Sequence, residues 1–276
     1  MFEKVNKYHP DKVADRIAGA IVDIAYTKEE SPKVACEVLI GHGNASVIVE
    51  TSANITEGEV KSVLRRIAGD FSAYNIVIVP QDCRLAENQR NGVKCGDNGV
   101  FRGYPTTREQ LELSKFVRER ENEYPYDGKF IIDLDKLIVC QSHLKERDYP
   151  TFMHNYKSMQ ADINPLGEWT GGIDVDAGAT NRKLGSDMGE AVTGGGLHGK
   201  DLSKADVSVN VVCYLLAEKH KQKVEAYCAI GDDNILFQLD DGTEIDMAYD
   251  DVVLTAKDYI INELGGFEKF AEYGLI

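Results

Sequence analysis

Four short segments of the sequence are polar or rich in glycine, and they carry side chains that could do chemistry. The first is His9-Pro10-Asp11-Lys12, directly before a predicted helix. Proline fits the first turn of a helix, whose free N–H groups can bind an anion. Aspartate is a hard oxygen ligand for Mg²⁺, and lysine is a mobile positive charge for phosphate. The segment is therefore either part of a Mg²⁺-phosphate site or an ordinary capped surface helix.

The other three segments combine glycines with charged residues, and each could also be a solvated loop or a simple turn. They are Gly171–Lys183, Gly194–Asp206 and Lys94–Gly99. The spacing from Gly194 to Lys200 fits the GxxxxGK pattern of a phosphate-binding loop. Asp201 stands where that loop needs a Ser or Thr hydroxyl, which argues against a P-loop nucleotidase.

Taken together, the four segments offer cations for phosphates and carboxylates for a divalent metal. The cations are Lys12, Arg182, Lys183, Lys200 and Lys204, and the carboxylates are Asp11 and Asp206. The 276-residue chain is otherwise acidic, with 46 Asp and Glu against 31 Lys and Arg and a net charge of −15. Such a charge argues against binding nucleic acid or an anionic membrane. A local cluster of cations in an acidic protein instead favours a Mg²⁺-nucleotide site.

The elements that must position these residues are both helices and strands. Apolar periodicity, capping boxes at Thr56/Glu59 and Thr106/Glu109, and a cap at Ser203 followed by Asp206 predict helices at 13–25, 57–67, 107–121, 203–216 and 250–264. Alternation and turn residues predict strands at 33–39, 45–50, 76–79, 130–134, 137–141, 224–230 and 235–239, the third of them buried. Two strands followed by a helix occur about three times, which favours an α+β fold with helices covering sheets.

The cysteine pattern indicates the cellular compartment in which the protein works. The six cysteines are scattered without a CxxC pair, so we expect reduced thiols rather than disulfides or a zinc site. We find neither an apolar leader at the N-terminus nor an apolar run of about 18 residues that could span a membrane. The sequence therefore predicts a cytoplasmic protein that makes no membrane contact.

These motifs, in this order, resemble those of the S-adenosylmethionine synthetase family. His9-Pro10-Asp11-Lys12 is similar to the opening signature of that family, and Gly96-Asp97-Asn98-Gly99 to its central Gly-Asp-Gln-Gly. The spacing of Asp176, Arg182, Lys183 and Asp187 also matches, and so does the glycine-rich run. Further similarities are Val34–Glu37, Glu50-Thr51, Gly194–Asp201 with Lys204 and Asp206, Ala229–Gly231 and Tyr273-Gly274. The resemblance covers nearly the whole chain.

The resemblance implies a fold and a reaction. The fold would have three similar β-sheet and helix subdomains with pseudo-threefold symmetry, at 1–89, 90–167 and 168–276, with strands exchanged between them. The reaction would be attack of methionine sulfur on C5′ of ATP, with triphosphate leaving and then being hydrolysed to phosphate and pyrophosphate. Two Mg²⁺ ions and K⁺ would be the cofactors. Members work as homodimers or tetramers, so a second copy of the chain is the expected partner.

The resemblance also implies roles for individual residues. His9 would stabilise the departing 5′ oxygen, with Lys12, Lys129, Arg182, Lys183 and Lys200 as the other catalytic residues. The ATP site would add Asp127, Trp169 and Asp176, and the methionine site would be Glu50, Gln89, Asp97, Asp176 and Lys204. The metal ligands would be Asp11 and Asp206 for Mg²⁺ and Glu37 for K⁺. Two alternatives stay open: Lys136 rivals Lys129 at the triphosphate, and Trp169 could be a core aromatic.

The sequence departs from the family at several positions. Tyr8 replaces a glycine, Glu168 stands in place of an arginine, and the stretch 196–199 is one residue short. The segment Arg90–Gly96 is short where the family has a mobile gating loop, and the central hairpin is shortened as well. A shorter lid predicts weaker exclusion of water and slower turnover. These departures motivate an alternative hypothesis, a non-catalytic nucleotide-binding or regulatory relative.

Overall fold

Three four-stranded β-sheets organise the chain in the computed structural model, which describes residues 1–81, 92–134, 136–154, 156, 160–191 and 195–276. The strands are β1 Phe2–Val5, β2 Val34–Gly41, β3 Asn44–Thr51, β4 Ala73–Pro80, β5 Gly99–Gly103, β6 Gly128–Asp133, β7 Lys136–Gln141, β8 Gln160–Ile163, β9 Gly178–Ala179, β10 Val224–Cys228, β11 Asn234–Leu239 and β12 Glu244–Ala248. The α-helices are α1 Pro10–Lys28, α2 Glu57–Ala68, α3 Arg108–Glu123, α4 Tyr149–Phe152, α5 Leu184–Met188, α6 Ala205–His220, α7 Tyr249–Lys257 and α8 Phe267–Tyr273. A 3₁₀ turn at Glu146–Asp148 precedes α4, and α7 continues into a π-helical turn at Asp258–Glu263.

Two of the sheets share one topology. In the order β4-β3-β2-β9, β2 and β3 form an antiparallel hairpin, and β4 returns parallel to β3 after α2. In the order β1-β6-β7-β8, β6 and β7 form the hairpin, and β8 returns parallel to β7 after α4. The third sheet, β12-β11-β10-β5, is antiparallel throughout. The three sheets and their helices agree with the predicted α+β fold class, and the shared topology relates two of the three sheets.

Each sheet takes one strand from a distant part of the chain. β1 pairs with β6, β9 with β2, and β5 with β10, all antiparallel. These pairings join segments that are far apart in sequence. The subdomain bounds expected from the sequence stay a prediction, because the exchanged strands leave no simple boundary along the chain.

An apolar core lies against each sheet. The largest surrounds α1, whose Ile17, Ala18 and Ile21 are completely buried. A second lies between the β5–β10–β11–β12 sheet and α6, and a third between the β1–β6–β7–β8 sheet and α3.

The predicted helix at 13–25 is confirmed and extended by α1. Its N-terminus therefore begins inside the protein, with Pro10, Asp11 and Lys12 all buried.

The predicted caps have mixed outcomes. The capping box of Thr56 and Glu59 is confirmed. The second box is formed by Thr107 and Gln110, one residue later than predicted. The shift follows from a different contact of Thr106, whose amide N–H donates to Glu218 on α6.

Two further expectations were wrong. Ser203 does not cap α6, because its hydroxyl donates to Asp201, and α6 begins after Lys204 without a side-chain cap. The strand predicted at 76–79 is longer and is not buried. Val77 and Val79 are 41% and 38% exposed, since the outer face of β4 has no described layer over it. Among the described residues the cysteines are free thiols, and no helix is both long and apolar enough to cross a membrane.

Candidate functional site

The N-terminus of α1 is the starting point of the site. His9 is its N-cap residue, and its Nδ1 accepts a hydrogen bond from the amide N–H of Asp11 at 3.2 Å. Burial, and after it the positive charges of Lys183, Lys129, Lys12 and Arg182, lower the pKa of His9 to about 3. The imidazole is therefore neutral at pH 7. The bond to Nδ1 places its proton on Nε2.

Asp11 lies beside two of the predicted phosphate-binding cations. Its Oδ1 accepts a hydrogen bond from the Ala179 amide at 2.9 Å and lies 3.7 Å from Arg182 Nη1. Its Oδ2 lies 3.7 Å from Lys183 Nζ. This approach requires glycine at 178, where an added Cβ would come within 2.0 Å of the Pro10 carbonyl oxygen. The segment around Arg182 and Lys183 thus docks directly onto the start of α1.

Lys129 joins the same region through a residue that the sequence analysis missed. Glu3 of β1 has Oε2 at 3.4 Å from Lys129 Nζ and Oε1 at 3.6 Å from Lys183 Nζ. The contact depends on the register of β1 against β6, so no local signal could have revealed it. Lys136, the rival of Lys129, forms an ion pair with Asp162 instead. We call His9, Asp11, Lys129, Arg182 and Lys183 the open cluster.

The edge of β2 that faces away from β3 contacts two of the glycine-containing segments. Near one end, the Thr180 amide donates to the Val38 carbonyl at 3.0 Å. Near the other end, the Cys36 amide donates to the Gly199 carbonyl at 2.7 Å. An added Cβ at Gly199 would lie 2.1 Å from the Cys36 carbonyl oxygen, so the edge requires glycine there. One strand therefore positions both the Arg182-Lys183 segment and the segment carrying Lys200.

Lys200 and Asp206 form an ion pair at this edge. Asp206 is buried, and its Oδ1 also accepts a hydrogen bond from the Gly195 amide at 2.9 Å. Gly194 lies outside the described residues. The pair places a cation and a carboxylate together, as a site for a metal-bound phosphate requires.

The outward face of the β2–β3 hairpin carries both predicted glutamates. Glu50 lies opposite Ala35 on β2, and Ala35 bridges to Lys200. Glu37 lies two residues further along β2 and accepts a hydrogen bond from the Thr180 hydroxyl. Both carboxylates are exposed on this face and lie near the segments that dock on β2.

The residues predicted to bind the substrate methionine lie in several segments. The turn containing Asp97 is tied to the start of α6, because the Gly96 amide donates to the Ser203 carbonyl at 3.1 Å. Lys204 directly follows Ser203 and therefore lies near this turn in space. Asp176 is exposed and accepts a hydrogen bond from the Ala177 amide at 2.8 Å. Gln89 lies outside the described residues.

A pocket of about 340 Å³ lies next to the open cluster. Its lining includes Trp169, Glu168 and Cys140, and Cys140 is the strand partner of Lys129. The Trp169 indole N–H donates to Asn164 Oδ1 at 3.1 Å, which fixes one edge of the ring. Asp127 accepts a hydrogen bond from the Gly172 amide at 3.2 Å, and burial raises the pKa of its carboxyl to about 6. An apolar pocket beside a cation could hold a flat base with a phosphate chain.

Lys12 lies apart from the other predicted phosphate-binding residues. Its ammonium group is completely buried, 2.8 Å from Asp187 Oδ1, 3.2 Å from Asp15 Oδ2 and 3.5 Å from His198 Nε2. These two carboxylates raise the pKa of Lys12 above its ordinary value, although burial opposes them. The structure therefore places Lys12 inside the protein rather than on the surface that phosphates could reach. We call Lys12, Asp15, Asp187 and His198 the buried cluster.

Two places among the described residues carry carboxylates that could hold a metal ion. In the buried cluster, ligand atoms of Asp15, Asp187 and His198 lie within 4.8 Å of one another. They do not fit a metal, because the Lys12 ammonium already occupies the position of the cation. Asp11 and Asp206 do fit Mg²⁺, since both are buried carboxylates that lie beside a lysine and still offer lone pairs.

Comparisons with known proteins agree with the predicted resemblance. Residues 1–87 match the family described as the N-terminal domain of S-adenosylmethionine synthetase. The chain is 28% identical over 263 residues to S-adenosylmethionine synthase 1 of Rhodopseudomonas palustris, covering 74% of this chain and 68% of that protein. It is 25% identical over 265 residues to the S-adenosylmethionine synthase of Helicobacter pylori, covering 75% of this chain and 69% of that protein.

A solved structure extends the likeness to the whole chain. It is that of an unusual S-adenosylmethionine synthetase from Campylobacter jejuni, with a TM-score of 0.75 and 20% identity, covering 100% of this chain and 95% of that one. At this identity the match concerns the fold. Together with the N-terminal match, it confirms the predicted resemblance and the predicted fold class.

Proposed function

We propose that this chain, which has the S-adenosylmethionine synthetase fold, forms S-adenosylmethionine from ATP and L-methionine. The observation that carries the proposal is the open cluster. Residues from three distant segments bring a neutral imidazole, a buried carboxylate and three cations together at one helix start. A displacement that releases a highly charged triphosphate needs such an arrangement, because the charge that develops on the leaving group must be neutralised.

His9 has the protonation state that the reaction requires. Its neutral ring keeps a donor N–H on Nε2 and a backbone-bound Nδ1. In the proposed reaction, methionine sulfur attacks C5′ while Nε2–H donates to the departing 5′ oxygen. Arg182, Lys183 and Lys129 then hold the triphosphate, with Lys200 at the neighbouring edge. The main contribution of these fixed groups is alignment and charge stabilisation.

The proposed metal ligands are the three carboxylates that the sequence predicted. Asp11 and Asp206 would hold two Mg²⁺ ions, and Glu37 would hold K⁺, with Mg²⁺ supplying positive charge to the phosphate oxygens. Asp127 and Trp169 would bind the nucleoside part of ATP in the neighbouring pocket, with Asp176 at its edge. Glu50, Asp97, Asp176 and Lys204 would surround methionine, together with Gln89. Hydrolysis of the triphosphate to phosphate and pyrophosphate would follow in the same site.

A second copy of the chain is the proposed partner. The sheet face that carries Glu37 and Glu50 also exposes apolar side chains, whose exposed fractions range from 38% to 54%. They are Leu39, Ile48, Val77 and Val79. Apolar surface of this kind favours association. Ile48→Glu should therefore convert a dimer to a monomer in light scattering, and an unchanged mass would contradict this interface. The free thiols are consistent with the expected cytoplasmic compartment.

The experiment that tests the proposed function is a direct assay. The purified protein is incubated with ATP, L-methionine, Mg²⁺ and K⁺, and S-adenosylmethionine is quantified by chromatography. We expect product from the wild type and a loss of roughly 10²–10³ in kcat/KM for Lys129→Met, because one phosphate contact is removed. Lys136→Met is the matched control and should be near wild type, since Lys136 pairs with Asp162. ATP binding without product would support the non-catalytic alternative instead.

A further inference from the structure

Two cysteine thiols converge on one backbone carbonyl. Cys95 Sγ donates to the carbonyl oxygen of Asp97 at 3.1 Å, and Cys228 Sγ donates to the same oxygen at 3.7 Å. The two thiols also contact each other. Cys95 is completely buried and Cys228 is 5% exposed, and both are free. Neither is a ligand of the sites described above.

The pair joins a turn to the end of a strand. Cys95 directly precedes the turn Gly96–Gly99, and Cys228 is the last residue of β10, where it pairs with Gly99 of β5. Hydrogen bonds from the segment that follows β10 also anchor the turn. The Gly231 amide donates to the Cys95 carbonyl at 2.8 Å, and the Ile230 amide donates to Asn98 Oδ1 at 2.7 Å. A covalent bond between the thiols would therefore act on the turn that carries Asp97.

The local chemistry favours reaction of Cys95 over other buried thiols. Its contact with the Cys228 thiol lowers the pKa of Cys95, despite burial. Burial raises the pKa of Cys36 and Cys213, which makes these thiols poor nucleophiles. Gly96 and Asp97 above the pair are only half-buried, and Asn98 is exposed, so a small oxidant has a short path to the sulfur atoms.

We propose that Cys95 and Cys228 form a reversible disulfide that controls the position of the Asp97 turn. The Cys95 thiolate attacks one oxygen of hydrogen peroxide and becomes a sulfenic acid as hydroxide leaves and takes up a proton to form water. The Cys228 thiol then attacks the sulfenic sulfur, and a second water leaves. Two thiols and one peroxide give one disulfide and two waters. The Asp97 carbonyl loses both of its S–H donors in the process.

The consequence for activity rests on the proposed function, because Asp97 belongs to the proposed methionine site. The bonded sulfur atoms can no longer donate to the carbonyl, so the turn should shift and its amides should become less protected. The KM for methionine should rise several-fold in the oxidised protein, whereas the KM for ATP should stay within about twofold. Dithiothreitol should restore both properties.

The first part of the test needs no turnover. A Cys83→Ser background removes the cysteine that lies outside the described residues, and the protein is treated with hydrogen peroxide, alkylated and mapped by mass spectrometry. We expect a peptide that links Cys95 to Cys228, with Cys36 and Cys213 still reduced as internal controls. Hydrogen exchange at Gly96–Gly99 should speed up at the same time. A protein that keeps Cys95 and Cys228 reduced, or links other cysteines first, would overturn the proposal.

The second part compares variants and separates this inference from the proposed function. Cys228→Ser and Cys95→Ser keep a hydroxyl donor for the Asp97 carbonyl, so both should show normal methionine KM values and no response to peroxide. A disulfide that forms without changing exchange of the turn or methionine KM overturns the control role alone. Absence of S-adenosylmethionine from the reduced wild type overturns the proposed function. The cross-link and the hydrogen-exchange measurement still test whether the disulfide forms and moves the Asp97 turn.

Discussion

Two ion clusters lie on either side of the same helix turn, and adjacent residues belong to different ones. Asp11 faces the open cluster, where Lys183 is 17% exposed and Arg182 60% exposed. Lys12, the next residue, faces the buried cluster, where its own side chain and those of Asp15 and Asp187 have no exposed surface. Both clusters contain at least one lysine, at least one aspartate and one histidine. They differ in burial and in how completely their charges are paired.

The difference separates a binding role from a structural one. In the buried cluster, short ion contacts and hydrogen bonds satisfy the Lys12 ammonium, and Asp187 is further held by His198 at 2.9 Å. In the open cluster, ion contacts of 3.4 to 3.7 Å leave the cations loosely paired. Loosely paired cations can exchange one anion for another at little cost, whereas a buried pair cannot. The open cluster is therefore suited to bind a ligand, and the buried one to hold segments together.

The largest test of this comparison removes one lysine from each cluster. Lys12→Met leaves two buried carboxylates without their cation, which should lower the free energy of unfolding by about 3–5 kcal/mol. Lys183→Met removes a partly exposed cation of similar size and should cost about 1 kcal/mol or less. Urea unfolding, monitored by circular dichroism, measures the unfolding free energy of both variants.

The same two variants should exchange rank in an activity assay. Lys183→Met should lower kcat/KM by roughly 10²-fold or more if Lys183 holds the leaving phosphates. Lys12→Met should lose activity only as far as it loses folded protein, once the folded fraction is measured at low temperature. Equal losses of stability in the two variants would show that burial does not distinguish the clusters.

A pH experiment tests the electrostatics of His9, which lies between the cations of the open cluster. Its native pKa of about 3 is far below the ordinary 6.5, so the unfolded chain takes up a proton first as the pH falls. Stability from this group is therefore complete above pH 6.5 and is lost progressively towards pH 3. Between pH 6.5 and pH 4 the loss should be about 3 kcal/mol.

His9→Asn is the matched variant for this test, because asparagine is also a good N-cap residue but does not titrate. The loss of unfolding free energy between pH 6.5 and pH 4 should be smaller in the variant by about 2–3 kcal/mol. Other acid-sensitive groups, such as Asp127, contribute equally to both proteins and cancel. Parallel pH profiles would mean that burial and the nearby cations do not depress the pKa of His9.

The two clusters also show what the sequence could and could not predict. Local signals gave the hairpins, the first capping box and the helix after Pro10, because these depend on neighbouring residues. The motifs also identified Asp11, Arg182 and Lys183 as one group, which the structure brings together.

The burial of Lys12 could not be predicted in the same way. Its partner Asp187 is 175 residues away, and their contact depends on how α5 packs under β1. Glu3 was missed for a similar reason, since its contacts follow from the register of β1 on β6. Residue type and spacing therefore located the charged groups but could not assign each to the open or the buried cluster.

The smallest expected effect concerns Glu3, which connects two cations of the open cluster. Glu3→Gln should change the free energy of unfolding by less than about 1 kcal/mol, because its contacts with Lys129 and Lys183 are partly exposed. Glu225→Gln is the matched control, since Glu225 also lies on a strand between two cations, Arg102 and Lys223. The loss of unfolding free energy caused by Glu3→Gln should become smaller as NaCl rises from about 0.05 to about 0.5 M, because salt screens surface ion pairs. A loss above about 2 kcal/mol that salt does not reduce would mean that Glu3 holds its lysines as firmly as Asp187 holds Lys12. In that case the open cluster would be a second structural network, and its cations would no longer be free to exchange Glu3 for a phosphate.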